Sequence, residues 1–258
     1  IHMLPADLHI HTLLSGHAFC TFNECVDDAH EKGLSLIAIT DHGPSMFGGP
    51  QENYFKMFNR CPKSKGSMLI LFGCETNIID VDGELDLPSV VLSRLDIVLA
   101  GLHGPTPYRG TTEAHNTKAL ISLMKNNQYV NIITHPVRHG YPISVKDVVY
   151  ASLETNVLLE LNVNLILQCL KKIDKPNNKK VIEETSKMID LLQNNKRKYV
   201  VNSDAHHVCE IGISDSYIDM LKSIIGVKEE FIINKDKVAL SHHIPSIKTI
   251  SQRTGIDF

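Results

Sequence analysis

Long apolar runs are missing from this chain. The longest, such as Ile97–Leu102 and Val157–Leu161, fall far short of the roughly 20 residues a bilayer-spanning helix needs, which excludes a helical membrane protein. Cysteines are few, six in all, with no Cys-x-x-Cys pair and no disulfide-type spacing. They read as reduced thiols filling a core, and the expected address is the cytoplasm. No secretory signal precedes the first expected strand, and Ile1-His2 ahead of Met3 reads as an added remnant, so His2 is set aside. A basic face is also lacking. Formal net charge is −3, and the basic runs Lys171–Lys180 and Lys196–Lys198 are interrupted by Asp174, Pro176 and asparagines, which argues against a nucleic-acid partner. There is no repeat, no low-complexity segment and no linker, so residues 1–258 are expected to form one domain. Tryptophan is absent altogether, whereas histidine occurs fourteen times, scattered rather than gathered in a tag.

What is present is a rhythm. Short runs rich in β-branched residues predict strands at Ala6–His11, Leu34–Asp41, Met68–Glu75, Ile97–His103, Val130–His135, Val157–Asn162 and Tyr199–Asp204. Most are continuously apolar, as strands covered on both faces must be. Helix signals fall between them: a capping box at Thr21-Phe22-Asn23-Glu24 with Gly33 as stop, a cap at Asn116 for a helix to about Asn127, a start at Ser144-Val145-Lys146-Asp147, and an amphipathic stretch over Val181–Asn194. Pro44–Cys61 and Gly104–His115 read as loops. Seven strands alternating with helices predict an α/β fold, a closed or nearly closed barrel in preference to an open doubly wound sheet.

Metal-ligand residue types recur at the strand ends. The first strand ends Asp7-Leu8-His9-Ile10-His11, and residues two apart on a strand face the same way, so both imidazoles can grip one ion. Thr40-Asp41-His42-Gly43, Gly73-Cys74-Glu75, Gly101-Leu102-His103, Thr134-His135-Pro136 and Ser203-Asp204-Ala205-His206 close further strands. In a barrel those C-terminal ends share one mouth, where active sites lie. Asp7 is expected beside the cluster or bonded within the barrel floor. His30, His115, His139, His207, His242 and His243 read as solvated, with a loop role preferred for His139 and His207.

Taken in order, these motifs resemble those of the PHP (polymerase and histidinol phosphatase) superfamily. Asp80-Val81-Asp82-Gly83-Glu84, Asn116-Thr117 and Leu159-Glu160-Leu161-Asn162 further resemble its bacterial YcdX-type phosphatase branch. The resemblance runs from about Ala6 to Gly212 and implies a distorted (β/α)7 TIM-like barrel with a trinuclear site, commonly zinc, with manganese or iron also seen. It implies a first ion on His9, His11, Glu75 and Asp204, a second on Glu75, His103 and His135, and a third on His17, His42 and His206. One departure stands out: Gly104 follows the strand-four histidine where that branch often carries an acidic residue, which bears on substrate preference and the proton donor.

The expected activity is hydrolysis of a small phosphomonoester by metal-bound hydroxide, with Glu75 and Asp204 bridging metals and activating water. Arg138 is the candidate for gripping a phosphate oxygen, and Arg109 has a weaker claim. Three alternatives are weighed against this. An amide or ester hydrolase of similar barrel often bridges its metals with a modified lysine, and no lysine ends a core strand here. A phosphodiesterase would call for a basic track. A regulatory metal-binding module fits poorly with an intact ligand set. Substrate identity and oligomeric state are not written in these motifs.

Overall fold

The computed structural model describes residues 2–256. The chain opens with β1 (Ala6–Ile10), α1 (Phe22–Glu31) and β2 (Leu36–Ile39). The start of α1 is set by reciprocal bonds, the Thr21 hydroxyl accepting the Glu24 amide while the Glu24 carboxylate accepts the Thr21 amide. There follow α2 (Glu52–Phe55), β3 (Ser64–Lys65), β4 (Met68–Asn77), α3 (Ser89–Leu92), β5 (Ile97–Gly101), α4 (Glu113–Asn126), β6 (Ile132–Ile133) and α5 (Val145–Glu154). The remainder is β7 (Leu158–Asn162), α6 (Val163–Leu170), α7 (Pro176–Asn194), β8 (Val200–Asn202), α8 (Asp215–Ile225), α9 (Lys237–His243) and α10 (Ser246–Thr254).

Seven strands pair in parallel in the order β1-β2-β4-β5-β6-β7-β8, and β3 adds antiparallel to β4. The seam between β1 and β8 is closed past the end of β8, where His11 N–H donates to Ala205 O at 2.9 Å and Ala205 N–H to His9 O at 3.2 Å. The result is the nearly closed (β/α)7 barrel that the strand rhythm predicts.

Side-chain alternation sorts each strand into an apolar base and a polar rim. Lumen-facing positions read Leu36 and Ala38 on β2 with Thr40 and His42 just beyond it, and Leu69, Leu71, Gly73, Glu75, Asn77 on β4. They read Ile97, Leu99, Gly101, His103 on β5 and Leu158, Glu160, Asn162 on β7. The apolar members form one inner cluster, which Ile233, Leu240, Ile244, Ile247 and Ile250 from the C-terminal helices cap at the N-terminal end of the strands. The intervening residues, such as Ile37, Ile70, Val98, Ile133 and Leu159, pack outward against the helices. β1 breaks this parity. Ala6 and Leu8 belong to the inner cluster and Ile10 to the outer one, and the pairing with β2 slips between Asp7 and Ile10. Such a bulge re-aims the side chains beyond it, and it turns His9 and His11 into the lumen.

Three expectations need correction. Asn116 does not cap α4; the Thr112 hydroxyl accepts the His115 amide and does so one turn earlier. Asn116 is instead buried in the helix, accepting from Tyr108 Oη at 2.8 Å and donating to Pro142 O at 2.9 Å. The stretch Pro44–Cys61 is not all loop, since it holds α2 and a short 3-10 turn at Phe58–Arg60 whose Phe55 and Phe58 rings pack into the outer core. The amphipathic helix starts at Pro176 rather than Val181, because proline at the first helical position costs no hydrogen bond.

Candidate metal centre

All the strand-end histidines converge at one mouth. His9 and His11 come from β1, His42 follows β2, Glu75 lies on β4, His103 follows β5, His135 follows β6, and Asp204 and His206 follow β8. His9, His11, Glu75 and His103 are buried almost completely. Two of these residues hold a left-handed backbone, His135 at φ 28° and Asp204 at φ 58°. Such conformations are costly for residues other than glycine, and here they aim a side chain into the cluster.

Hydrogen bonding fixes which nitrogen each ring offers. His9 Nδ1 donates to Glu160 Oε1 at 2.8 Å, and His103 Nδ1 to Asn77 Oδ1 at 2.8 Å. Ser15 Oγ gives its own proton to Asp41 Oδ1 at 2.7 Å, so at 2.8 Å from His11 Nδ1 it can only accept. His206 Nδ1 donates to the Asp204 carbonyl at 3.0 Å. Four imidazoles therefore turn Nε2 toward the cluster, the arrangement by which outer carboxylates and carbonyls orient metal-binding histidines.

Those nitrogens face one another. His9 Nε2 lies 3.0 Å from His11 Nε2, and His103 Nε2 lies 3.3 Å from His135 Nε2. Both β1 rings sit 3.3 Å from Glu75 Oε2, and they lie 3.3 and 3.1 Å from Asp204 Oδ1. Five of the six edges of this quartet thus measure 3.0–3.3 Å. A tetrahedral ion with bonds of about 2.0–2.1 Å needs ligand–ligand edges of about 3.3 Å. Glu75 Oε1 faces the other way, 3.1 Å from His103 Nε2 and 2.9 Å from His135 Nε2. Buried Glu75 Oε2, Asp204 Oδ1, His42 Nδ1 and His135 Nδ1 make no well-formed hydrogen bond, although His42 Nδ1 is only 2.9 Å from Glu75 Oε2. Electron-rich atoms left this close and unpaired in a dry site are what a cation would satisfy. The donor set fits a metal site.

The electrostatics mark a place for positive charge: against burial, Glu160, Glu75 and Asp204 raise His9 well above the ordinary imidazole value, and Asp204 and Glu75 raise His11 to about 9, so without an ion a proton stands where a cation would. Burial opposes ionisation of Glu75, but His103, His9 and His42 outweigh it and hold its carboxyl well below the usual range. Asp204 is likewise held down by His9 and His11 against its burial. Burial dominates at His42, pushed well below the ordinary imidazole value, and at His103, pushed down to about 4.

Three groups have donor atoms within 4.8 Å of one another: His9, His11, Glu75 and Asp204; His42, Glu75 and His103; and His11, His42 and His206. His17 is exposed and stands just outside the last of these, its ring 4.9 Å from those of His42 and His206. Above the cluster lies a cavity of about 460 Å³, lined among others by Arg138, Met46, Phe47, Leu165 and Gln168. Arg138 reaches it while its Nη1 donates to Leu102 O at 2.8 Å. Arg109 does not line this cavity; its guanidinium is tied to the Thr106 and Tyr108 carbonyls of its own loop. Asp7 belongs to the barrel wall: its carboxylate accepts the Ser203 amide at 3.2 Å and the Gly212 amide at 2.8 Å, anchoring the turn that carries Asp204.

Sequence reasoning passed over the supporting residues. Glu160 was noted only as part of a resemblance, yet its Oε1 accepts from His9 and Asn202 and its Oε2 from the His135 amide and Asn162. Ser15, Asn77 and Thr134 play similar parts, Thr134 Oγ1 donating to Glu75 Oε1 at 2.7 Å. The available signal was a polar residue at lumen parity inside an apolar strand, as in Leu158-Leu159-Glu160-Leu161.

An α/β barrel with a histidine–carboxylate centre at its mouth defines the class: a barrel protein with a candidate metal site at the C-terminal ends of its strands. More particularly, this chain belongs to the PHP domain family, which matches residues 7–200. It is 40% identical over 232 residues to a protein of Clostridium botulinum strain Hall named "Probable phosphatase", covering 90% of each chain. A protein of Caldanaerobacter subterraneus subsp. tengcongensis with the same designation is 38% identical over 239 residues, covering 91% of this chain and 89% of that one. Among solved structures, the fold is similar to histidinol phosphate phosphatase from Lactococcus lactis, determined with zinc, L-histidinol and phosphate. The TM-score is 0.59 at 18% identity, over 87% of this chain and 93% of that one.

Proposed function

We propose that this protein is a metal-dependent phosphatase acting on small phosphomonoesters, with zinc as its ion and three ions per chain. The observation that carries the metal part is the 3.0 Å approach of His9 Nε2 to His11 Nε2, beside Glu75 and Asp204. The phosphatase part is supported by the family and by the designation of its relatives. His9, His11, Glu75 and Asp204 would hold one ion, Glu75, His103 and His135 a second, and His17, His42 and His206 a third. Divalent ions so held lower the pKa of water and neutralise charge developing on phosphoryl oxygens.

The chain's own groups supply the rest. Glu75 turns Oε2 toward the β1 histidines and Oε1 toward His103 and His135, so one carboxylate fixes the spacing of both halves. Arg138, held by the Leu102 carbonyl, keeps further N–H donors for a phosphate oxygen. Water adds to phosphorus, the ester P–O bond breaks, and the departing oxygen takes a proton to give an alcohol and inorganic phosphate. With Arg138 as the single Arg or Lys among the described residues around the cavity, the site suits a compact ester better than a polyanionic strand. Six unpaired cysteines support the cytoplasm as its address. No helix among the described residues is long and apolar enough to cross a membrane.

The test pairs elemental analysis of the purified protein with colour release from a nitrophenyl phosphate after loading with zinc or manganese. The expected result is three bound ions per chain and turnover that a chelator abolishes, and two would remove the third site. Normal metal loading with no turnover of any phosphomonoester would sink the phosphatase reading.

A further inference from the structure

The cavity has a polar floor and an apolar wall, and the wall is what a leaving group would meet. Besides the histidines, the two carboxylates and two glycines, the cavity's lining is Met46, Phe47, Pro105 and Leu165, with Gln168 and Arg138 as polar members. Phe47 is 85% exposed. A free phenyl ring at the mouth of a ligand cavity is costly to leave bare and gains from being covered. The backbone that carries it is held, because the turn is bonded from Met46 N–H to Gly43 O at 3.1 Å and from Gly49 N–H to Met46 O at 2.9 Å. The neighbouring loop buttresses that turn backbone to backbone: a Cβ at Gly16 would stand 2.7 Å from the Gly48 carbonyl carbon.

Charge points the same way. Among the described residues around the cavity, the only carboxylates are Glu75 and Asp204, and both are turned into the histidine cluster. Nothing there is left to pair with an ammonium group on a leaving alcohol. Arg138 is the one guanidinium, enough for a phosphate but not for a second anionic group. Side chains at the rim therefore reward an uncharged apolar or aromatic alcohol and offer nothing to a charged one.

We infer that the preferred substrates are phosphomonoesters of uncharged, apolar or aromatic alcohols, with Phe47 as the residue that selects them by packing against the leaving group. This rests on the phosphatase reading above. It sets the chain apart from the similar Lactococcus lactis fold, which was solved with an amino alcohol bound.

The experiment compares 2-phenylethyl phosphate, glycerol phosphate and 2-aminoethyl phosphate, all alkyl esters, on the zinc-loaded enzyme and on Phe47→Ala. We expect kcat/KM for the phenylethyl ester to exceed the other two by about tenfold or more, the order that one apolar contact supplies. Phe47→Ala removes that advantage through KM, costing the phenylethyl ester far more than glycerol phosphate. Binding of 2-phenylethylphosphonate, which cannot be hydrolysed, should weaken by the same factor in calorimetry. Equal kcat/KM for all three esters, or a uniform loss in Phe47→Ala, overturns the inference while the phosphatase reading stands. If none of the three turns over while a nitrophenyl phosphate does, the inference falls and the phosphatase reading stands.

Discussion

The Nδ1 proton of His9 is donated across 2.8 Å to Glu160, a carboxylate buried in the middle of an apolar strand. The other Glu160 oxygen accepts the His135 amide at 2.9 Å, so one side chain orients residues on both halves of the cluster. Every proton reaching Glu160 comes from a donor, namely His9, Asn202, His135 and Asn162. Glu160→Gln puts an amide N–H against one of these pairs. Zinc affinity should drop by about 10–100-fold, as for other outer partners of metal-binding histidines. Competition against a chromogenic chelator reads this directly, and unchanged affinity would remove Glu160 from the centre.

His17 tests the third ion separately. Its ring lies 4.9 Å from His42 and His206 but is exposed, so truncation should change folding stability by no more than about 0.5 kcal/mol. His17→Ala is expected to lose one equivalent of metal and keep the ions assigned to His9, His11 and Glu75. Metal-to-protein ratios from elemental analysis give the answer. A ratio equal to the parent's would leave a centre of His11, His42 and His206 without His17.

Gly101 makes room beneath the cluster. A Cβ there would stand 2.5 Å from Thr134 Oγ1 and 3.0 Å from His103 Nε2. Thr134 in turn bonds Glu75 Oε1, so the displaced hydroxyl disturbs the carboxylate shared by two sites. Gly101→Ala should cost about 1–3 kcal/mol in urea unfolding and reduce kcat as well. Gly33→Ala is the control: at φ +79° with nothing within 4 Å of the new atom, it should lose about 1–2 kcal/mol of stability to backbone strain and leave kcat intact.

The barrel and the ligand types were legible because both are repeated. Seven β-rich runs each carry their polar residues at the C-terminal end, and a pattern that recurs so often survives errors in any one strand. What single positions decide was not legible. The bulge that turns His9 inward is a slip of pairing between β1 and β2, and alternation read along β1 alone cannot reveal which face Leu8 and His9 share. Thr112 took the capping role expected of Asn116 because both are good caps a few residues apart, and the choice follows from burial of Asn116 against Tyr108 and Pro142. Helices α9 and α10 were passed over since their apolar residues serve a barrel floor that exists only once the strands have closed. Glu160 was hidden for a related reason: two of its four partners, Asn202 and His9, lie 42 and 151 positions away.

The last prediction concerns acid. Burial pushes His103 down to about 4 although Glu75 pulls the other way. Below pH 6.5 an unfolded chain protonates this imidazole, whereas the folded one stays neutral until about pH 4, so the unfolded state binds more protons across that window. Stability of the metal-free protein must therefore fall as pH drops from 6.5 to about 4, with His103 contributing roughly 3 kcal/mol at full development. His103→Asn keeps an N–H near Asn77 Oδ1 but cannot titrate. Urea unfolding of chelator-treated parent and variant at pH 7.5, 6 and 5 separates the two, and the parent's curve should descend more steeply. Bound zinc excludes protons from the same nitrogen, so the loaded protein should show its steepest loss where metal dissociates rather than along this slope. Parallel curves for parent and variant without metal would mean that His103 Nε2 is protonated in the folded state, and the lone-pair geometry assigned to it would be wrong.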